Sequence, residues 1–267
     1  MLRIGLVGCG AIGSQLARTI ERSYRASARL VGLYDQDPSK IRQLQRRLHR
    51  PPPACVLASL VHRSDLVIEA ASVQAAPHVA AAALRAGRDV MVMSVGGLLG
   101  DTRWRRLAGR GRVIIPSGAL AGLDGIKALA VGTVRQVHLT TRKPPRALAG
   151  APYLERKRID LSRCRTARMV FEGTARDVVQ AFPQNTNVAA ALMLASGGVN
   201  ARTRIRVIAD PSVSRNVHEL DVTGDCGRIQ CRIESRPSST NPKTSELAVR
   251  SAIATLDRLL NPIVIGT

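Results

Sequence analysis

The chain has 267 residues, enough for one large domain or two small ones, and 45% of them are hydrophobic but only 2% aromatic, so its core must come from Ala, Val, Leu and Ile. No apolar run reaches the roughly 18 residues that cross a membrane. The net charge of +21 comes from scattered residues, mostly arginine. With no zinc-finger spacing, aromatic RNA-binding motif or basic heptad, it implies weak attraction to polyanions and no specific nucleic-acid partner.

"LRIGLVG" reads as a buried strand of about five residues that runs through glycines into a helix, "GCGAIGSQLARTI". The opening "MLRIGLVGCGAIGSQLA" imitates a signal peptide, but its glycines have the better explanation given below, and it is read as part of the fold. "ARLVGLYD" is a second strand ending at Asp35, and "PSKIRQLQRRLH" a helix with Pro38 at its start. "PPPACV" is a rigid connector and "SDLVIEAAS" a third strand. "APHVAAAALRAG" is a helix stopped by Gly87 and "DVMVMSVGGL" a strand. "TRWRRLAGRG" is a short helix and "RVIIPSG" a further strand. Strands alternating with helices predict a doubly wound parallel sheet, a Rossmann domain over residues 1–118.

The texture then changes. "RQVHLTTRKPP", "TARMVFEGT", "RIRVIAD", "NVHELDVTG" and "GRIQCRIES" predict a smaller α+β domain over 119–242 with an open mixed sheet, and "GDCG" a hairpin turn. Helices are expected at "ARDVVQAF", "TNVAAALMLASGG" and "ELAVRSAIATLDRLL"; the last, within 243–267, is expected to pack back on the first domain. "RKPPRALAGAP" has the composition of a mobile loop. The helices should cover one sheet face, leaving an apolar face for a homodimer. The five cysteines, Cys9, Cys55, Cys164, Cys226 and Cys231, are far apart without a Cys-x-x-Cys pair. No disulfide framework or metal site is expected, and a reducing, cytoplasmic setting is.

Gly8-Cys9-Gly10-Ala11-Ile12-Gly13 is a Gly-x-Gly-x-x-Gly between a strand and a helix. Gly8 permits the tight turn, Gly10 lets the backbone approach a pyrophosphate, and Gly13 lets the helix pack on the strand. The helix N-terminus around Ala11 and Ile12 supplies N–H groups to the phosphates. Asp35, 22 residues beyond Gly13, is placed to bond ribose hydroxyls and favours NAD, while nearby arginines leave NADP possible.

Six blocks in order make the chain resemble the L-aspartate dehydrogenase family over essentially its whole length. They are "MSVGGLLGD" (93–101), "PSGALAGLDGIKA" (116–128), "TTRKPP" (140–145), "VFEGTARDVVQAFPQNTNVAAALMLA" (170–195), "ADPSVSRNVHELDVTG" (209–224) and "NPKTSELAVRSAIATL" (241–256). The resemblance implies nicotinamide-dependent conversion of L-aspartate to iminoaspartate and, after hydrolysis, oxaloacetate and ammonia, in either direction, feeding NAD biosynthesis. It also implies that His218 is catalytic and that Ala121 and Asn187 contact the cofactor. Two stretches depart from the family pattern: "ERSYRASA" (21–28), and "ESRPSSTNP" with Arg236, which bears on fine specificity.

His218 sits on a strand face with Asn216, Leu220 and Val222, where an isolated imidazole is most simply a satisfied core residue. The other reading is chemical. Amine oxidation needs a neutral amine and then an activated water, and histidine's usual pKa of about 6.5 suits both. Asn216, on the same face, is placed to hold the ring's tautomer. The substrate's carboxylates need cations, for which Lys143 and Lys243 are the candidates, with Arg142 beside them. Ser94, Thr244 and Ser245 are candidate donors, with a strand-end turn or a helix N-cap as their structural alternatives. Still open are a reductase of another small dicarboxylic imine or 2-oxo acid, and an inert NAD-binding protein.

Overall fold

The computed structural model describes residues 1–182, 187–198, 202–238 and 245–266. They form two compact units, one of residues 1–116 with 249–264 and one of 117–248 with 265–267.

The first unit runs β1 (Leu2–Val7), α1 (Ala11–Ser23), β2 (Ala28–Tyr34), α2 (Pro38–Gln45), α3 (Leu57–Arg63), β3 (Leu66–Glu69), α4 (Ala76–Arg85), β4 (Asp89–Val92), α5 (Gly97–Gly100), a 3-10 turn (Arg103–Leu107) and β5 (Val113–Ile114). Its five strands are parallel, in the order β2-β1-β3-β4-β5. This is the doubly wound sheet read from the sequence, with the strand order reversing beside β1. α1 follows from apolar spacing: Gly13, Leu16, Ala17 and Ile20 are buried on one stripe. Two local expectations change: the helix in "TRWRRLAGRG" is 3-10, and β5 is two residues long. Helix α3 fills the stretch between "PPPACV" and β3, for which the sequence suggested no element.

The second unit runs α6 (Leu123–Leu129), β6 (Val134–Lys143), α7 (Pro145–Leu148), α8 (Pro152–Arg156), β7 (Arg168–Gly173), α9 (Ala175–Ala181), α10 (Asn187–Ala195), β8 (Thr203–Ala209), β9 (Asn216–Gly224) and β10 (Arg228–Ser235), followed by α11 (Glu246–Leu260). Its sheet is mixed, ordered β10-β9-β6-β8-β7, with β6 and β8 parallel and the other pairs antiparallel. The expected loop "RKPPRALAGAP" instead contains the short helix α7 and leads into α8. α9 opens with a capping box between Thr174 and Asp177. Val137, Leu139, Ile205, Leu220 and Val222 are buried on one sheet face, and α6 and α9 pack on this sheet.

The opposite face is not the apolar surface expected. It carries Arg142–Glu219 at 3.2 Å, Arg206–Glu172 at 3.0 Å and Arg232–Glu234 at 3.0 Å, with further pairs Arg228–Asp221 and Arg232–Glu219. Alternation along β8, β9, β10 and β6 beyond its bulge between Val134 and Gln136 sends most charges to one side and most aliphatics to the other, with Val217 on the charged side and Lys143 on the aliphatic one. α11 begins in the second unit but belongs mainly to the first, where Ala252 and Leu256 join the core of Ile4, Leu6, Leu16 and Ile20. Within that unit the Tyr24 hydroxyl donates to Asp257 at 3.1 Å.

Candidate active site

Each unit gathers its own set of candidate residues. In the first, β1 ends on the glycine turn. Gly8 has φ +96, and a Cβ there would lie 2.5 Å from the backbone of Ala70. A Cβ on Gly13 would lie 1.9 Å from the Gly8 carbonyl oxygen, so α1 packs on the turn with no room for a side chain. A Cβ on Gly10 would meet nothing within 4 Å. Gly8 and Gly13 are therefore required by the fold itself, whereas Gly10 keeps a surface open.

Ala11 and Ile12 begin α1, whose start has no side-chain cap and no acidic residue in its first turn. Its N–H groups remain available to an anion, and the helix dipole favours one. Asp35 follows β2 and accepts from Cys9 N at 2.7 Å and from Asp37 N at 2.9 Å. It thus ties the glycine turn to the start of α2, and each carboxylate oxygen retains a lone pair for a ribose hydroxyl. Burial and the Asp35 charge push the Cys9 thiol up to about 12, so Cys9 stays protonated beside the turn. An open glycine, an uncapped helix start and a carboxylate at the end of the second strand fit a dinucleotide.

In the second unit, sheet register assembles a polar row inside the core. Thr141 on β6 stands opposite His218 on β9, and Arg142 opposite Val217. Lys143, one residue on, therefore falls beside Asn216 on the face of His218. On the other flank β10 places Ile233 opposite His218 and Ser235 opposite Asn216. Thr141, Lys143, Asn216, His218 and Ser235 are all at most 5% exposed. Five buried polar side chains on adjoining strands are costly unless they serve one another or a ligand.

Thr141 Oγ1 and His218 Nδ1 share a hydrogen bond of 3.0 Å. The residue on the ring is thus Thr141, where the sequence pointed to Asn216. Desolvation, then the neighbouring Lys143 charge, push the His218 imidazole down to about 3. Burial pushes the Lys143 ammonium down to about 8. Ser245 donates to Ser235 Oγ at 2.9 Å and accepts from Leu247 N at 3.1 Å, which makes it the N-cap of α11.

Other candidates fall elsewhere. Arg142 lies on the charged face, paired with Glu219 at 3.2 Å and Asp210 at 3.7 Å. Ser94 donates to Glu69 at 2.9 Å inside the first unit. Ala121 is exposed ahead of α6, and Asn187 is exposed at the start of α10. Lys243 and Thr244 lie outside the described residues. Thr141 was missed because a threonine in a strand is ordinary; only its pairing with His218 singles it out. Among the described residues no group of three or more His, Cys, Asp or Glu side chains could hold a metal ion.

Residues 124–259 match the family model described as aspartate dehydrogenase, C-terminal. Residues 8–112 match that of the homoserine dehydrogenase NAD binding domain. The chain is 46% identical to an L-aspartate dehydrogenase of Methanosarcina barkeri over the full length of both, and 45% identical to that of Methanosarcina mazei, again over both full lengths. Its fold is similar to the crystal structure of an aspartate dehydrogenase from Thermotoga maritima, with a TM-score of 0.73 at 24% identity over both whole chains. The first unit is thus an NAD-binding domain of Rossmann type.

Proposed function

The chain belongs to the L-aspartate dehydrogenase family, and on that premise we propose that it oxidises L-aspartate with NAD to iminoaspartate, which water hydrolyses to oxaloacetate and ammonia, and that it runs the reverse amination. The observation that carries this reading is the buried row of Thr141, Lys143, Asn216 and His218 on adjoining strands. The role in NAD biosynthesis is part of the same proposal.

NAD, when bound, supplies the hydride acceptor. The turn that Gly8 and Gly13 shape and Gly10 leaves open would hold its phosphates with the N–H groups of Ala11 and Ile12, and Asp35 would hold its adenosine ribose. Ala121 and Asn187 are proposed as further cofactor contacts. Lys143 pairs with a substrate carboxylate, and Asn216 donates beside it. Lys243 and Thr244 are proposed to complete the dicarboxylate site, with Ser245 acting at one remove through Ser235.

His218 enters as a neutral ring, since its pKa in the free protein lies far below neutrality. A dianionic substrate seated beside Lys143 changes the balance. Its charge cancels the repulsion from the ammonium and raises the imidazole's basicity. With its proton on Nδ1 and donated to Thr141, the ring presents the Nε2 lone pair to the amine or to the attacking water.

The test is NADH oxidation with oxaloacetate and ammonia, against other 2-oxo acids and against NADPH. Turnover confined to oxaloacetate supports the reading, and equal turnover of monocarboxylic 2-oxo acids overturns the dicarboxylate assignment. Asp35→Ala is expected to erode any preference for NAD over NADP, because a carboxylate repels a 2′-phosphate; an unchanged ratio refutes that role.

A further inference from the structure

Glu69, the last residue of β3, is the one carboxylate among the described residues with no exposed surface. Its Oε1 accepts from Ala71 N at 2.8 Å, Ser72 N at 3.2 Å and Ser94 Oγ at 2.9 Å, and its Oε2 accepts from Ser94 N at 2.9 Å. One side chain thereby joins the loop after β3 to the residue following β4. The glycine turn rests on the same loop, since Gly8 approaches the backbone of Ala70 and Ala71. Burial raises the Glu69 pKa, while three backbone N–H groups and a hydroxyl oppose that rise by favouring the anion. These four donors are neutral, so the hydrogen bonds stabilise a negative charge without cancelling it.

The position of Glu69 in the sheet gives this charge a use. A dinucleotide crosses a doubly wound sheet at the carboxyl ends of its strands, with its phosphates at the first helix. Asp35, after β2, marks the adenosine side of β1. The other half of the cofactor then belongs to the β3 and β4 side, where Glu69 lies next to Val7 of β1 and Val92 of β4. Nicotinamide is cationic when oxidised and neutral when reduced. Resting on the NAD reading above, we propose that Glu69 is a fixed buried anion that makes this protein favour the oxidised over the reduced cofactor, while positioning the two loops that border the nicotinamide half.

The test is equilibrium binding of NAD⁺ and NADH to the full chain without substrate, by fluorescence titration and competition. Glu69→Gln keeps the shape and most acceptor contacts but removes the charge. It is expected to weaken NAD⁺ relative to NADH by about three- to thirtyfold, the scale of one unit-charge interaction in a partly solvated site. Glu69→Asp keeps the charge while withdrawing the oxygens; both affinities are expected to fall and their ratio to hold within about twofold, since the Coulomb energy varies only slowly with distance. An unchanged ratio in Glu69→Gln overturns the proposal. So does a loss of NAD⁺ preference in Glu69→Asp, which decides the matter if Glu69→Gln fails to fold. Failure of the unsubstituted chain to bind either form overturns the NAD reading itself, and this proposal with it.

Discussion

An imidazole 3% exposed on a sheet face, bonded to a threonine and held neutral first by burial and then by a nearby lysine charge, is a group whose charge state its surroundings control. His218→Ala should lower kcat by about 10²–10⁴-fold, the usual range for a lost acid–base group. Cofactor affinity should stay within about twofold, because the residues assigned to the phosphates belong to the other unit; direct titration of NADH checks this. His218→Asn should be nearly as inactive, since an amide forms hydrogen bonds but takes up no proton. Activity within tenfold of the unsubstituted enzyme in both variants would remove His218 from the chemistry.

Lys143 carries a second prediction at the same scale. Its folded pKa of about 8 lies below its ordinary 10.5. Between those values the unfolded chain holds the extra proton, so this group makes stability rise with pH across that window. Below pH 8 the fold is therefore less stable by on the order of 3 kcal/mol than above pH 10.5, where the group is neutral in both states. Lys143→Met should therefore gain on the order of 1–3 kcal/mol at pH 7 in denaturant melts while losing substrate affinity. For the active enzyme, kcat/KM for oxaloacetate should fall as pH rises past about 8 and Lys143 deprotonates. Lys143→Arg should carry that fall to higher pH; an unmoved limb assigns it to another group.

At the scale of elements, the glycine turn separates what the fold needs from what a ligand needs. Gly13→Ala would force a Cβ to within 1.9 Å of the Gly8 carbonyl and should lower the melting temperature sharply. Gly10→Ala meets nothing within 4 Å and sits at φ −71, which alanine accepts. It should leave the melting temperature within a degree or two and weaken cofactor binding about tenfold or more, because its methyl group would occupy the surface where phosphates approach. Equal cofactor affinity in Gly10→Ala would move the phosphates elsewhere. Helix α3 teaches a related lesson. Leu60 lies 2.9 Å from where a Cβ on Gly5 would stand and 2.6 Å from one on Gly32. Glycines at the interior of two strands signal that something packs closely there, and they were the available clue to a helix between "PPPACV" and β3.

For the whole molecule, the charged sheet face changes the basis for the expected homodimer. An apolar face would associate whatever the salt. A face built from Arg142, Glu219, Arg206, Glu172, Arg232 and Glu234 associates through matched charges, which salt screens. If this face is the interface, light scattering at micromolar concentration should give a dimer at low ionic strength and a mass falling towards the monomer near 1 M salt, where the screening length is about 3 Å. A monomer at every ionic strength removes the dimer. A dimer indifferent to salt moves the interface to another surface. The net charge of +21 is the excess left after every acidic residue has been counted, so weak salt-sensitive retention on polyanions is expected beside any specific function.

Periodicity and turn chemistry act within a few residues of one another, and whatever depends on them alone was legible in the chain before it was folded. That covers the alternation of strands and helices, the glycine turn with Asp35, the change to a mixed sheet, the hairpin at "GDCG", and the inward face of β9 that holds Asn216, His218, Leu220 and Val222. The six family blocks added the candidate chemistry, with His218 at its centre. Tertiary structure alone decided how strands distant in the chain align. Thr141 and His218 are 77 residues apart and meet only through the register of β6 on β9. Lys143 turns inward and Arg142 outward because neighbouring strand positions face opposite sides. The charge state of His218 follows from that meeting as well, since burial and a lysine brought in by register set it, and neither is a property of the stretch "NVHEL".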